Sequence, residues 1–234
     1  MVHQVTGFSD AFQAWEQWNL TDFEHKSTQI LALKSEIESQ SAPLAAVASF
    51  HIEQASALLE EHHMLVGPTG ETNELYAAGR GVALVIVDET QDSLPTLQTA
   101  TAMLTAALIA GNSVIVCSDD TQFNTLIADA AKQANLPSNL VQTTSFDASQ
   151  QLLACDVRSV AYVGNPQTEQ AINLQLAKRD GAIVGLVSET DLTAMHVAHD
   201  PHLSLRFITE RTRTINITAV GGNATLLELG SEAH

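Results

Sequence analysis

The chain has 234 residues, of which 45% are hydrophobic, a length and composition typical of one substantial globular domain with a small appendage. Ten basic residues against 27 acidic ones give a net charge of −17, which repels phosphate backbones and anionic lipid surfaces. We therefore expect no nucleic-acid partner and no direct membrane contact.

The apolar segments do not predict a membrane span, and the cysteines do not predict a metal site. Residues 100–116 form the richest apolar window, but polar residues and a glycine interrupt it before the ~18 residues of a spanning helix are reached. Cys117 and Cys155 lack metal-ligand spacing and lie in apolar segments, which is typical of reduced thiols. We expect a cytoplasmic protein without a disulfide.

Residues 1–66 are predicted to form a helical arm. Helices are expected at residues 9–19 and 43–61, and between them the sequence TDFE, from Thr21 to Glu24, has the spacing of a capping box. The breakers at residues 67–70 end the arm. His62 and His63, beside two glutamates, are interpreted as a solvated helix end.

Three aromatic residues, Phe12, Trp15 and Trp18, recur at three-residue steps and so share one face of the first helix. Burial against the second helix is the favoured interpretation. A surface for a partner protein is the alternative.

Residues 67–203 are predicted to form a Rossmann-like α/β domain. Short apolar or β-rich strands alternate with helical segments, which indicates a parallel sheet covered on both faces. The strands are expected at residues 82–87, 112–117, 140–144, 158–163 and 182–187, and the helices at residues 94–110, 121–133, 148–154 and 167–178.

A histidine cluster near the end of this domain offers a metal-binding alternative. His196, His199 and His202 recur every three residues around Asp200, a spacing that could hold zinc or nickel on a helix. Pro201 ends such a helix before His202, so a polar loop without metal is the favoured interpretation.

The final segment, residues 204–234, is predicted to form a β-ribbon. From Thr212 to Ala219 polar and apolar residues alternate, the period of a half-buried strand, and a turn follows at Gly221 and Gly222. The strand either closes on its own sheet or pairs with a partner.

Two segments resemble motifs of the proline utilization A (PutA) family. They are residues 210–227, ERTRTINITAVGGNATLL, and residues 67–73, GPTGETN. The resemblance identifies the chain as similar to the C-terminal domain of the long members, which are bifunctional proline dehydrogenase and 1-pyrroline-5-carboxylate dehydrogenase enzymes. In those proteins FAD and NAD serve other domains, so the resemblance implies no cofactor, no metal and no catalytic residue in this chain.

Two further segments resemble the cofactor domain of aldehyde dehydrogenases, but with changes at the ligand. After the strand of residues 112–117 the superfamily carries a lysine-containing run that holds ribose, and this chain has Asp119 and Asp120 there. After residues 162–164 comes Pro166, which lacks a backbone donor for phosphate. Neither cysteine lies in a nucleophile loop.

The resemblance implies a non-catalytic domain that packs on the aldehyde dehydrogenase domain of the same polypeptide and closes its substrate-channelling cavity. Self-association through the ribbon is a second expected contact, and an NAD-binding or catalytic aldehyde dehydrogenase module is the alternative function. The residues expected to act are those of the ribbon: Thr214, Ile215, Asn216, Ile217, Thr218, Gly221, Gly222 and Asn223.

Overall fold

The computed structural model describes residues 2–67, 71–88 and 94–216. In these residues the helices are α1 (Val2–Trp18), α2 (Phe23–Glu38), α3 (Ala42–Leu59), α4 (Leu94–Ile109), α5 (Thr121–Gln133), α6 (Ala148–Leu152) and α7 (Pro166–Ala177). The strands are β1 (His63–Leu65), β2 (Glu71–Gly79), β3 (Val82–Val87), β4 (Ser113–Cys117), β5 (Val141–Thr144), β6 (Ser159–Val163), β7 (Gly185–Glu189) and β8 (Ile208–Asn216). A short 3-10 helix, Leu203–Phe207, precedes β8.

The core is a five-stranded parallel sheet of order β5-β4-β3-β6-β7. In its centre Val85 pairs with Val116 on one side and with Ala161 on the other. The whole of β3 is buried, because helices cover both faces of the sheet. The prediction of a Rossmann-like parallel sheet is confirmed, and each of its five strands lies within three residues of the expected position.

The two faces of the sheet carry different helices. Val85 belongs to a cluster that includes α4 and the α2–α3 hairpin, whereas Leu84 belongs to a second cluster with α1, α6 and α7. Helix α4 lies between the sheet and the α2–α3 hairpin, so it is buried on nearly all sides and is apolar all round. The N-terminal helices therefore pack on opposite faces of the sheet, and the division into three segments stays a prediction.

Of the three aromatic residues of α1, Trp18 is buried, whereas Phe12 and Trp15 are half-buried. Trp18 is fully buried, its indole Nε1 donates to the carbonyl of Leu108 in α4 at 2.9 Å, and its ring lies 6.1 Å from that of His25 in α2. Phe12 instead packs on the opposite side, with the cluster around Leu84. The expected packing against the second helix is therefore confirmed for Trp18 and wrong for Phe12.

Helix α2 begins one residue later than the capping-box spacing indicates. Asp22 is the N-cap, and its Oδ1 accepts from the backbone N–H of His25 at 2.7 Å. The hydroxyl of Thr21 donates backwards to the carbonyl of Trp18 at 2.8 Å, so it is not free to cap. A carboxylate at this position also interacts favourably with the helix dipole.

The second sheet is antiparallel, with the order β1-β2-β8. The sequence predicted neither β1 nor β2. His63 begins β1 and pairs with Leu75, so the interpretation of His62 and His63 as a helix end was wrong for His63.

None of the helices in the described part of the chain is long and apolar enough to cross a membrane.

Candidate functional site

The site begins with a ribbon formed by β2 and β8. The two strands are paired along their whole length, from Glu71 opposite Asn216 to Gly79 opposite Ile208. The strand that the sequence placed at residues 212–219 thus begins four residues earlier and pairs within its own chain. In the described residues no strand pairs with the other edge of β8. The strand therefore closes on its own sheet through the edge that pairs with β2, while its other edge is free to pair with a partner.

The outer half of β8 is exposed on both faces, contrary to the expected half-buried pattern, whereas the β2 residues opposite it are half-buried. Residues 210–215 are all exposed, including Ile215 at 45%. The alternation is present in the sequence, but no helix of the described chain packs on this part of β8. The apolar side of the strand is therefore available for another surface.

The predicted ribbon residues divide at the limit of the described chain. The hydroxyl of Thr214 donates to Oδ1 of Asn73 across the strands at 2.5 Å, Ile215 is opposite Thr72, and Asn216 is opposite Glu71. The remaining predicted residues, Ile217, Thr218, Gly221, Gly222 and Asn223, lie outside the described residues.

Strand β1 adds apolar surface at the opposite edge of this sheet. Met64, Leu65 and the following Val66 are exposed, at 63%, 42% and 103%. An edge strand with exposed apolar side chains is a template for pairing with another chain or domain. Together with Ile215, these residues form the exposed apolar part of the ribbon.

The base of the ribbon is held by one buried side chain, that of Asn112. Its Oδ1 accepts from the backbone N–H groups of Arg80 and Gly81 at 2.7 and 3.1 Å. Its Nδ2 donates to the carbonyls of Ala107 and Phe207, both at 2.9 Å. Asn112 therefore connects the end of α4 to the residues that follow β2 and precede β8. The sequence analysis missed this role, for which the only signal was a polar residue at the start of an apolar strand.

A second contact fixes the same base. The backbone N–H of Gly79 donates to Oδ1 of Asn19 at 2.8 Å. A Cβ on Gly79 would lie 2.1 Å from the carbonyl oxygen of Gly111, so the two backbones approach closely only because residue 79 is glycine. The ribbon thus projects from a rigid support.

The carboxyl ends of β3 and β6 lie together at the topological switch point of the parallel sheet, where open α/β sheets bind ligands. The Tyr162 hydroxyl is 3.0 Å from Oδ2 of Asp88 and 2.9 Å from the carbonyl of Asn165, and Asn165 Nδ2 donates to the same carboxylate oxygen at 2.5 Å. Burial, then the hydrogen bond with Asp88, raises the pKa of Tyr162. A neutral phenol and a carboxylate therefore occupy this position.

The chain was compared with protein families, with curated proteins and with solved structures. No protein-family model matches the chain. The bifunctional protein PutA of Salmonella typhimurium is 29% identical over 167 residues, which are 71% of this chain and 11% of that protein. PutA of Klebsiella aerogenes is 30% identical over 182 residues, or 76% of this chain and 12% of that protein.

Solved structures show the same fold. A variant of Bradyrhizobium japonicum PutA has a TM-score of 0.71 and 24% identity over 83% of this chain and 23% of its own. A 1-pyrroline-5-carboxylate dehydrogenase from Thermus with bound NAD has a TM-score of 0.67 and 15% identity over 81% of this chain and 42% of its own.

The chain is therefore related in sequence to part of the PutA proteins, and it has the fold shared by PutA and 1-pyrroline-5-carboxylate dehydrogenase. The matched part spans only 11% and 12% of the length of these two PutA proteins.

Asp119 and Asp120, which stand where aldehyde dehydrogenases carry a ribose-binding lysine, both accept hydrogen bonds from backbone N–H groups. Asp120 caps α5, since its Oδ1 accepts from the backbone N–H groups of Gln122 and Phe123, both at 2.8 Å. Oδ1 of Asp119 accepts from the backbone N–H of Phe146 at 2.9 Å. The two side chains therefore fix the loops that follow β4 and β5.

Neither thiol has the environment of an activated nucleophile. Cys117 is completely buried in β4, and burial raises the pKa of its thiol to about 12. The pKa of Cys155 is also raised by burial, although the nearby Arg179 opposes the shift. A thiolate nucleophile requires the opposite direction.

The histidines of the metal-binding alternative lie in turns rather than on a helix. His199 Nδ1 is 3.3 Å from the carbonyl of Ala194, and His202 Nδ1 is 3.7 Å from Oδ1 of Asp200. Within residues 2–67, 71–88 and 94–216 no group of three or more potential ligands could hold a metal ion.

Proposed function

We propose that this chain is a non-catalytic domain of a bifunctional proline-catabolic enzyme, and that it packs on the 1-pyrroline-5-carboxylate dehydrogenase domain of the same polypeptide. There the β2–β8 ribbon closes the cavity through which the intermediate passes between the two active sites. The similarity to bifunctional PutA proteins supports the enzyme class.

The observation that carries this proposal is the exposure of the outer ribbon on a rigid base. Residues 210–215 are exposed on both faces, while Asn112 and Asn19 fix the base through hydrogen bonds to three backbone segments. An exposed edge strand is a ready template for pairing with another chain or domain. Docking by strand addition uses such a free edge, with backbone hydrogen bonds for affinity and side chains for specificity.

The apolar side chains indicate how much docking contributes. Ile215, Met64 and Val66 are all largely exposed. Full burial of such side chains stabilises by roughly 1.5 to 3 kcal/mol each. Three of them are enough to make the ribbon's position depend on the neighbouring domain.

The absence of a catalytic role in this chain is supported by the thiols and by the switch point. Aldehyde oxidation through a covalent intermediate needs a thiolate, and the pKa values of both cysteines are raised. At the switch point the Asp88 carboxylate is hydrogen-bonded to Tyr162 and Asn165, and its charge would repel the phosphate of a cofactor bound there.

The test uses the full-length parent enzyme with Ile215→Asp. A charge on the docked face should lower semialdehyde oxidation about tenfold, equivalent to about 1.4 kcal/mol, and leave proline oxidation nearly unchanged. The coupled reaction from proline to NADH should gain a lag, because the intermediate escapes to solvent. Both half-reactions and the lag are measured on one preparation.

The matched control is Leu174→Asp, since Leu174 is also an exposed apolar residue, at 55%, and lies on α7, which carries no ribbon residue. It should leave both activities and the coupling unchanged. Deletion of residues 212–234 should reproduce the effect of Ile215→Asp. Equal semialdehyde oxidation and no lag in both ribbon variants would show that the ribbon does not act on the neighbouring domain.

A further inference from the structure

A cavity of about 340 Å³ lies beneath the ribbon, on the side away from the parallel sheet's switch point. Its walls are the turn between α1 and α2, the ends of α3 and α4, and the ribbon residues Tyr76 and Arg211. This volume lies at the lower end of the range for small-molecule sites.

The cavity concentrates positive charge in a strongly acidic protein. Lys26, Arg211 and Arg213 line it, three of the ten lysines and arginines in a chain of net charge −17. Among the described residues that line it, Asp22 is the one carboxylate, and one oxygen of this side chain already accepts from a backbone N–H as the α2 cap. Such a concentration of positive charge favours the binding of an anion.

Lys26 is the buried member of this group. It is 8% exposed, its ammonium donates to the carbonyl of Thr21, and it lies 6.0 Å from the centre of the Trp18 ring. Among the described residues no carboxylate oxygen lies within 4 Å of it. Burial lowers the pKa of Lys26 to about 8, and the charge of Asp22 opposes part of this shift. A buried ammonium without a charged partner is unfavourable until an anion is supplied.

The two arginines differ in their availability. Arg213 forms an ion pair with Glu74 on the neighbouring strand. Arg211 lies two residues earlier on the same face of β8, and its guanidinium has no hydrogen bond or ion pair with any residue that the structure describes. Its planar guanidinium can bind a carboxylate or a phosphate through two parallel hydrogen bonds.

We infer that this cavity binds a small multivalent oxyanion, with Arg211 at its mouth and Lys26 at its base. Carboxylates and phosphates share the required chemistry, and the two cations can bind two groups of one ligand. This site is independent of the ribbon's exposed apolar part, since Ile215 does not line it.

Calorimetry on the whole chain, with citrate and with pyrophosphate as separate probes at constant ionic strength, tests the site. Binding of one probe, weakened at least tenfold by Arg211→Gln, or about 1.4 kcal/mol, is the expected result. The probe that binds more tightly identifies the ligand as a carboxylate or a phosphate. Lys132→Gln removes an equally exposed charge from α5 and should leave binding unchanged.

A second measurement separates the site from general charge attraction. Reductive ¹³C-methylation allows the pKa of Lys26 to be followed by NMR, and the bound anion should raise it in the wild type but not in Arg211→Gln. Ile215→Asp should bind the probe normally, so this inference and the proposed function fail separately. No heat with either probe, or equal weakening by Arg211→Gln and Lys132→Gln, would overturn the site.

Discussion

Buried polar side chains fix this fold at single positions, and Asn112 is the principal example. Four backbone groups in three segments bond to its amide, and these hydrogen bonds would be lost with the side chain. The sequence places this asparagine at the start of a strand but contains no information on what it contacts, because its partners come from residues 80 to 207. His51 is a similar case on α3.

His51 predicts how stability depends on pH. Its ring is 2% exposed, and Nε2 donates to the carbonyl of Ala198 at 2.9 Å. Burial is the largest influence and lowers the pKa of His51 below 6.5, while the hydrogen bond and Asp200 oppose the shift and His199 adds to it. The unfolded chain therefore binds the proton more readily, and stability should fall as pH drops through 6.5.

Urea unfolding at pH 7.5 and pH 5.5 measures this effect against His51→Gln, which cannot titrate. The variant should be less stable at pH 7.5 but should lose less stability than the wild type between the two values. An identical loss in both proteins would mean that other groups account for the pH dependence.

Among the elements, those of the parallel sheet could be predicted and the second sheet only in part. Continuous apolar runs such as β3 (Val82–Val87) have one stable environment, between two helical layers, so their sequence specifies them. Strand β2 reads ETNELYAAG, which lacks both an apolar run and a regular alternation. Its structure comes from pairing with β8, a contact that no local pattern contains.

The crossing of β2 over the loop before β4 predicts the effect of Gly79→Ala. The new Cβ would lie 2.1 Å from the backbone oxygen of Gly111, which no rotation of a side chain can relieve. The base of the ribbon must move, at a cost of about 2 kcal/mol. Thermal unfolding should show the loss.

Gly185→Ala is the control, since a Cβ at that position would meet only Arg80 at an ordinary 3.7 Å. If both variants unfold at the same temperature, the ribbon base is not rigid.

For the whole molecule, the parallel sheet has the topology of an open α/β fold whose switch point often binds a ligand, but hydrogen-bonded side chains of the protein lie at that position. Tyr162, Asp88 and Asn165 fill the switch point, and Gly164, with φ of 155°, allows them to approach, since a Cβ there would lie 2.5 Å from the Tyr162 hydroxyl. Pro166 already indicated that this turn differs from a phosphate-binding turn. The contact of Tyr162 with Asp88 could not be predicted, because it forms only when β3 and β6 pair.

Calorimetry of the chain with NAD should therefore give no dissociation constant at or below about 1 μM, which corresponds to about −8 kcal/mol. Asp88→Asn should not create such binding, because the tyrosine and the asparagine remain in place. Micromolar binding by the wild-type chain would restore the alternative of a cofactor-binding module.

The pairing of β2 with β8 also has a consequence for the order in which the protein is made. The parallel sheet lies between these strands in the sequence, so a ribosome releases β2 long before β8 exists. Pairings of such high sequence separation form late, since the intervening chain must first become compact. Until then β2 has only the three residues of β1 beside it, and its inner edge can join any extended segment, including that of another nascent copy. The ribbon is thus the last part of this fold to be completed and the part most exposed to misassembly during synthesis.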